Sequence, residues 1–213
     1  APVSLRVHPI DKFLPKAEQK KVRESALKAF KARVLLNEQT GYVPQVLGPS
    51  EAFYTDSGDV VTVSPLDTGV QLDSLGGTDA WYPVEVRLAI VRDVAAALNA
   101  AHGPGISHRR ISPACIHVDL HQEDLGSVVA RLGDWDRADL GQVERPPRAT
   151  SIHSEGNPFV APEVADGSLR SWPAADLWSL ARTVQWIWSD FGSTTGLGPL
   201  PPRLADLVET LLR

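Results

Sequence analysis

The sequence predicts an α+β fold, in which short strands dominate the first third of the chain and longer helices the remainder. The first observation is periodicity. Apolar and polar residues alternate near the amino terminus, whereas later segments repeat apolar residues every three or four positions. The second is composition, because 213 residues that are 43% hydrophobic can bury a sizeable core. Together these observations exclude disordered and fibrous proteins.

Charge and cysteine content narrow the classes of function. With 21 basic and 26 acidic residues the net charge is −5, which provides no positive field for nucleic acid or an anionic membrane. No apolar run approaches the length of a membrane span, and the first residues do not resemble a signal peptide. The single cysteine, Cys115, excludes an internal disulfide and fits a reducing compartment. We therefore expect a cytoplasmic protein without nucleic-acid or membrane partners.

The amino-terminal region is predicted to contain a small sheet and one helix. Residues 3–7 alternate apolar and polar side chains, which is typical of a short strand that carries Arg6 on its outward side. Residues 18–36 repeat apolar side chains at helical spacing. The apolar positions of this helix are Val22, Ala26, Leu27, Phe30 and Val34. Three further strands are predicted at residues 43–47, 52–54 and 60–64, with a hairpin turn at residues 56–59.

The middle of the chain is predicted to hold one buried helix and one hairpin. Pro83 is placed to start the helix, because a proline at the first helical position loses no hydrogen bond. Its apolar positions are Val84, Leu88, Val91, Val94, Ala95 and Leu98. Residues 115–118 and 129–132 are short β-rich runs joined by an acidic turn around Glu123 and Asp124. This hairpin would bring Asp134 back beside residues 108–118.

Two amphipathic helices are predicted in the last part of the chain. The first begins near residue 174, and the second covers residues 201–212. The apolar face of the first consists of Leu177, Leu180, Ala181, Val184 and Trp188.

Four short motifs occur in a particular order. They are the sequence His-Arg-Arg-Ile-Ser-Pro-Ala-Cys at residues 108–115, the triplet Asp134-Trp135-Asp136, the triplet Ala161-Pro162-Glu163, and Asp176-Leu177-Trp178-Ser179-Leu180. In this order and at these intervals they resemble the His-Arg-Asp-Leu-Lys-Pro-x-Asn, Asp-Phe-Gly, Ala-Pro-Glu and Asp-x-Trp-Ser-Leu elements of protein kinases. The chain thus resembles the protein kinase-like superfamily with the Ser/Thr protein kinase fold.

The resemblance implies a two-lobed fold with a connecting loop at residues 64–69. Residues 1–66 would form a partial small lobe, made of a strand, a helix and further strands. The strands that carry the glycine-rich loop of kinases are missing from it. Residues 67–213 would form a mainly helical large lobe, and we expect the domain to be truncated at both ends.

The positions that carry kinase chemistry are substituted. The aspartate, lysine and asparagine of the kinase loop correspond to Arg110, Ser112 and Cys115. An arginine cannot act as a base, because its side chain stays charged. A serine brings no charge to the transferred phosphoryl group, and a thiol is a poor ligand for a hard cation. The resemblance is therefore to a pseudokinase, a kinase-like domain that has lost catalysis.

Other parts of the loop are expected to keep a structural role. The resemblance implies that Asp176 accepts hydrogen bonds from the loop backbone around Arg109. His108 and Arg109 would pack the loop and contact the segment after Asp134.

One nucleotide-binding group is retained. Asp134 corresponds to the kinase carboxylate that binds magnesium, and Arg6 stands where a strand lysine contacts nucleotide phosphates. The glutamate that pairs with this lysine in kinases falls near Lys31, with Glu24 as the other acidic candidate. ATP and Mg²⁺ are thus implied ligands, bound weakly or not at all. We expect no separate metal site at His117 and His121, since no third ligand is near them in the sequence.

The predicted function is that of a regulatory or protein-interaction module with a protein partner. One alternative is an active atypical kinase that uses Asp119 or Asp136 as its base. Another is a small-molecule phosphotransferase, because Asp134-Trp135-Asp136 also resembles a segment of aminoglycoside phosphotransferases, although those lack the last two motifs. A third is a domain of a larger regulatory protein that contributes contacts only.

The polar segment before the Ala-Pro-Glu motif is predicted to be an exposed loop. It contains the hydroxyl residues Thr150, Ser151 and Ser154 near Arg145 and Arg148. Phosphorylation of this segment by another kinase is the alternative interpretation.

Overall fold

The computed structural model describes residues 2–120, 128–141, 157–166 and 172–213, which contain six helices and six strands in two small sheets. The predicted α+β class is confirmed. Several predicted features lie outside the described residues: His121, the turn around Glu123 and Asp124, and the segment with Arg145, Arg148, Thr150, Ser151 and Ser154.

The first sheet consists of β1 (Val3–His8), β2 (Glu51–Tyr54) and β3 (Val60–Pro65), in the order β1-β3-β2. Both pairs are antiparallel, and Arg6 lies directly opposite Thr62. Residues opposite each other share a face, so one face carries the polar side chains of β1 and β3. These side chains are Ser4, Arg6, His8, Thr62 and Ser64. The hairpin turn between β2 and β3 forms as predicted, with Gly58 at a φ of 86°.

The predicted single helix at residues 18–36 is wrong in one respect, because the structure divides it at Leu27. Helix α1 covers Lys16–Ala26 and buries no residue, whereas α2 covers Lys28–Thr40 and buries Ala32 and Leu36. Helical hydrogen bonds continue through Leu27, since its amide donates to the Arg23 carbonyl at 3.0 Å and its carbonyl accepts from the Lys31 amide at 2.9 Å. Val22, predicted to face the core, is 37% exposed.

The strand predicted at residues 43–47 does not form. Val46 makes a single parallel bridge to Leu132, supported by a hydrogen bond from the Leu47 amide to the Leu132 carbonyl of 2.9 Å. Pro44 and Pro49 flank this contact. A proline has no N–H to donate, so the ladder cannot extend past either residue in a regular way.

The second sheet contains β4 (Val70–Gln71), β5 (Ile116–Asp119) and β6 (Val129–Leu132), in the order β4-β5-β6. The predicted hairpin of β5 and β6 is confirmed, with Ile116 opposite Leu132. Strand β4 was not predicted, because two residues are too short to show an alternating pattern.

Helices α3 (Val84–His102) and α5 (Trp172–Ser189) form the centre of the helical part. Helix α3 packs against β6 and α5, and α6 (Pro202–Leu211) packs on α5. A short helix, α4, covers Pro162–Ala165. The predicted apolar faces are correct except at Leu88 and Leu177, which are 38% and 36% exposed. In α3 the core side chains are Val86, Ile90, Val94, Ala97, Leu98 and Ala101.

One cluster of buried apolar residues joins α2, α3, α5 and the second sheet. Arg87 of α3 lies inside the protein without any exposed surface. Its guanidinium donates to the carbonyls of Tyr82 and Ser193, at 3.2 and 3.1 Å, and to that of Ile187. Within the described residues, no helix combines the length and hydrophobicity needed to cross a bilayer.

Candidate functional site

The backbone of the loop at residues 108–110 is held by Asp176 on α5. Its carboxylate accepts hydrogen bonds from the amides of His108 and Arg109, each at 2.7 Å, and contacts Nε2 of His102 at 3.0 Å. Asp176 is 1% exposed, so these contacts replace water around a buried charge. Arg109 has a φ of 71°, which is a strained conformation for a residue with a side chain. The predicted contact of Asp176 with the loop is confirmed.

His108 connects this loop to the segment after β6. Its Nε2–H donates to the Gly133 carbonyl at 2.7 Å, and its Nδ1 accepts from the Arg110 amide at 3.3 Å. The imidazole ring meets the edge of Trp135, with 4.7 Å between ring centroids. Burial lowers the pKa of His108, which agrees with a neutral ring. The predicted contact between His108 and the segment after Asp134 is confirmed.

The three substituted loop positions lie close together but differ in exposure, since the Cys115 thiol contacts both the Ser112 hydroxyl and the Arg110 carbonyl. Arg110 is exposed and lines a cavity below the loop together with Ser112. Cys115 is 1% exposed, and its Sγ–H donates to the Arg110 carbonyl at 2.8 Å. Burial raises the pKa of the Cys115 thiol to about 11, so it stays protonated at neutral pH. The thiol therefore supports the loop internally and presents no ligand atom outward.

Asp134 stands at the end of β6, before a 3₁₀ turn at Trp135–Arg137. It is exposed and has left-handed backbone angles, with φ 54° and ψ 45°. Trp135 is buried and donates from Nε1 to the Leu132 carbonyl at 2.9 Å, which fixes the turn. Asp136, which stands where kinases have glycine, is exposed and does not adopt a positive φ.

A cleft of about 800 Å³ lies between the polar face of the first sheet and the residues around β5 and β6. Arg6 and Asp134 both line it, on opposite sides, as do His8, Thr62 and Asp136. The structure thus brings together the two residues predicted to bind a nucleotide.

The residues of α1 and α2 that line this cleft are Val22, Ser25, Ala26, Ala29 and Arg33. Lys31 is exposed, and Glu24 pairs with Lys20 at 3.8 Å on the outer surface of α1. Arg33 donates to the Val46 carbonyl and its guanidinium lies 5.2 Å from the Tyr42 ring. Burial lowers the pKa of Arg33. Lys31 and Glu24, the two candidates for the position of the kinase glutamate, therefore do not line the cleft.

The cleft also holds an ionic cluster that sequence reasoning missed. The Asp67 carboxylate, in the loop after β3, lies 2.6 Å from Nδ1 of His117 and 3.1 Å from a guanidinium nitrogen of Arg131. Arg131 also approaches Asp119 at 3.8 Å. His117 and Arg131 are opposite each other in the hairpin, and that pairing was the available signal. The cluster ties the connecting loop to the second sheet.

The residues around Asp134 do not fit the magnesium site that a kinase uses. Such a site needs several oxygen ligands around the ion. The second protein ligand of kinases corresponds to Cys115, whose buried thiol is bonded to a carbonyl. Among the described residues no group of three or more His, Cys, Asp or Glu side chains is arranged to hold a metal ion.

The cavity below the loop, called the loop cavity here, has a volume of about 530 Å³. It is lined by residues 109–114, by the segment that leads into α4, and by the first turns of α5. The Arg109 guanidinium stacks on the Trp172 ring at 3.8 Å from its centroid. Ala161 is buried with Trp172 and Ala175 in a small apolar cluster behind this cavity.

Comparison with known proteins supports a kinase-like relationship. The chain is 34% identical over 140 residues to the serine/threonine-protein kinase PkaB of Streptomyces coelicolor. The match covers 64% of this chain but 33% of the relative, so the chain spans about a third of that kinase's length. No family model matches the chain. This similarity agrees with the order of the four motifs.

Proposed function

We propose that this chain is a pseudokinase, a kinase-like domain with impaired catalysis that works as a regulatory or protein-interaction module. The observation that carries the proposal is Arg110, an exposed guanidinium on a loop that Asp176 holds at its backbone. The loop frame is therefore present, while the group at the position of the kinase base is a permanent cation.

The chemical consequence follows from how phosphoryl transfer works. A kinase orients the attacking hydroxyl with a carboxylate and neutralises phosphate charge with a lysine and magnesium. Here Arg110 cannot take a proton, Ser112 carries no charge, and Cys115 is buried. Loss of one well-placed electrostatic group typically costs about 10²–10³ in rate. Loss of three such groups would leave turnover close to background.

We propose that the cleft binds a nucleotide weakly or not at all. Asp134 and Arg6 line it, but the cluster of Asp67, His117 and Arg131 occupies the wall next to the connecting loop. A nucleotide base is usually held between apolar side chains. We therefore propose that ATP and Mg²⁺ are not required for the function. We also propose a cytoplasmic location, because the single cysteine is a buried free thiol.

A second candidate is an atypical active kinase. The observation in its favour is that Asp134 and Asp136 are both exposed and line the same cleft. One carboxylate would then bind the metal and the other would act as base. Among the described residues that line the cleft, none is a lysine that could neutralise the phosphates.

Incubation with γ-labelled ATP and Mg²⁺ or Mn²⁺ separates the two candidates. The pseudokinase proposal predicts no label on the chain itself or on general acceptors such as casein and myelin basic protein. The matched control is Asp134→Ala, which should behave like the unchanged protein. Label transfer that Asp134→Ala abolishes would contradict the proposal and support the active kinase.

A further inference from the structure

The positive charge of the chain is concentrated in one segment. Residues 11–31 contain seven Lys and Arg side chains and three Asp and Glu side chains, which gives this segment a net charge of +4. Because the whole chain has a net charge of −5, the remaining residues carry −9. The charge of the whole chain therefore conceals a local positive field around helix α1.

The lysines of this segment lie on the outer surface of the protein. Since helical hydrogen bonding continues through Leu27, Lys16, Lys20 and Lys31 project from one side of a continuous stretch, opposite to the residues that line the cleft. Glu24 is the acidic residue on this side, and its pair with Lys20 at 3.8 Å leaves both side chains more than half exposed. The basic surface, as it is called below, has as its exposed lysines Lys12, Lys16, Lys20, Lys21 and Lys31.

The arginines of the same region point into the protein. Arg23 donates from Nε to the Gly58 carbonyl at 3.3 Å, and Arg33 donates to the Val46 carbonyl. The exposed cations of the basic surface are therefore lysines. An arginine fork recognises one carboxylate or phosphate in a fixed geometry, whereas a lysine is a compact charge on a flexible stem. A surface of lysines suits an extended anionic partner rather than a single bound anion.

A fully exposed aromatic ring adjoins these lysines. Phe13 lies in the turn before α1 and is 99% exposed. Its amide donates to the Asp11 carboxylate at 2.8 Å, and the Gln19 side chain donates to the carbonyls of Lys12 and Leu14 at 3.2 and 2.8 Å. These three hydrogen bonds fix the turn. The turn therefore presents the phenyl ring to solvent from an ordered backbone, directly beside Lys12.

From this arrangement we propose that the basic surface and Phe13 bind the face of a lipid bilayer that contains anionic lipids. The lysines lie over the lipid headgroups, and the Phe13 ring enters the interfacial layer beside them. Clusters of lysine are attracted to an anionic leaflet over about a Debye length, and an aromatic ring adds a short-range anchor. Such binding is peripheral and needs no membrane-spanning helix.

The location that follows goes beyond the proposed function, because it places the interaction module at a membrane surface. It is compatible with a cytoplasmic location, since the cytoplasmic leaflet carries anionic lipids. The expectation that the chain has no membrane partner rested on the net charge, which averages over the basic surface.

The shape of the basic surface favours a bilayer over other polyanions. Helix α1 buries none of its own residues, and neither the cleft nor the loop cavity is lined by the basic surface or by Phe13. An acidic protein segment would therefore find no groove there. Duplex nucleic acid would neutralise the lysines but leave the Phe13 ring in water. A bilayer accommodates both the charges and the ring.

The first test is co-sedimentation of the untagged 213-residue chain with lipid vesicles. Vesicles of phosphatidylcholine alone are compared with vesicles that contain phosphatidylcholine and phosphatidylglycerol in equal amounts. We expect binding to the mixed vesicles to be at least about tenfold tighter at low salt, and to weaken strongly at about 0.5 M salt. Equal binding to the two kinds of vesicle, or no binding to the mixed vesicles at low salt, would overturn the proposal.

Two variants locate the binding. A double variant, Lys12→Gln with Lys16→Gln, should weaken binding to the mixed vesicles about twentyfold, because each lysine near an anionic leaflet is worth about fivefold in affinity. Phe13→Ala should weaken it about tenfold and leave Tm unchanged, since the ring is exposed. The matched controls are Arg203→Gln on α6 and Trp81→Ala before α3, which change an exposed cation and an exposed aromatic ring elsewhere. Unchanged affinity in Phe13→Ala would contradict the proposal.

A fluorescent probe distinguishes a bilayer from the other polyanions. Phe13→Cys can be labelled selectively with an environment-sensitive aromatic dye, because Cys115 is buried and its pKa is raised to about 11. We expect a blue shift of the dye emission with the mixed vesicles and none with polyglutamate or duplex DNA. A shift of the same size with polyglutamate or DNA would assign the surface to another partner and overturn the proposal.

The outcome is independent of the pseudokinase proposal. Lack of preference for anionic vesicles, together with absence of phosphoryl transfer, would remove the lipid-binding surface and leave the catalytic deficiency standing. Phosphoryl transfer that depends on Asp134 would remove the pseudokinase proposal whatever the vesicles show.

Discussion

Replacement of Asp176 by alanine should destabilise the protein strongly, because two buried amides lose their acceptor. The amides of His108 and Arg109 each donate to this carboxylate at 2.7 Å, and the residue is 1% exposed. Leaving a buried donor unpaired costs about 1–3 kcal/mol, so two donors give a loss of roughly 4 kcal/mol. Since a chain of this size loses about 3 °C in Tm per kcal/mol, we expect Tm to fall by about 12 °C.

The measurement is urea unfolding together with thermal denaturation, and hydrogen exchange reports on the loop itself. Asp176→Asn keeps one acceptor oxygen and should lose about half as much stability, which provides a second variant if the alanine protein does not fold. Asp206→Ala, at an exposed position on α6, serves as the control. A loss below about 1 kcal/mol in Asp176→Ala, or unchanged exchange at the amides of residues 108 and 109, would refute the reasoning.

Three further predictions follow from buried polar groups. Arg87→Met should lower the free energy of unfolding in urea by about 2–4 kcal/mol, because three backbone carbonyls lose their hydrogen-bond donor. A decrease under about 1 kcal/mol would contradict this. Burial lowers the pKa of His108, so near pH 6.5 the unfolded chain binds a proton that the folded chain does not bind. The free energy of unfolding should therefore decrease as the pH falls below that value. The decrease should be less steep in His108→Gln, which has no imidazole to titrate. The pKa of the Cys115 thiol is raised to about 11. Its reaction with iodoacetamide at pH 8 should therefore be more than about a hundredfold slower in the folded protein than in the urea-unfolded protein. Equal rates in the two states would argue against burial of the thiol.

The sequence predicted the large helices and the loop frame because their signals are local or strongly periodic. The hairpin of β5 and β6 follows from two β-rich runs, and the contact of Asp176 with the loop follows from matching motifs. The division of the helix at Leu27 was not predicted, since the helical spacing of apolar residues runs through this position without interruption. Arg33, which lines the cleft, was not singled out, because the kinase-like spacing pointed to Lys31.

Contacts between distant segments were the main features that sequence reasoning missed. In the cluster of Asp67, His117 and Arg131, Asp67 and Arg131 are 64 positions apart in the sequence. No periodic pattern in the sequence predicts such a contact. The loop cavity was missed for the same reason, because Trp172 and Arg109 meet only after α5 packs under the loop. The substituted catalytic positions were easy to identify, because they lie inside recognisable motifs.

The most direct test of the central claim is single-turnover measurement of γ-phosphate loss from ATP, since it requires no knowledge of an acceptor. The unchanged protein, in excess over labelled ATP and with Mg²⁺ present, would be compared with Asp134→Ala and with buffer alone. We expect γ-phosphate loss at the same slow rate in the unchanged protein, in Asp134→Ala and in buffer, because Arg110 stands at the position of the base and Cys115 cannot bind the metal. A rate at least about tenfold above buffer that Asp134→Ala removes would contradict it.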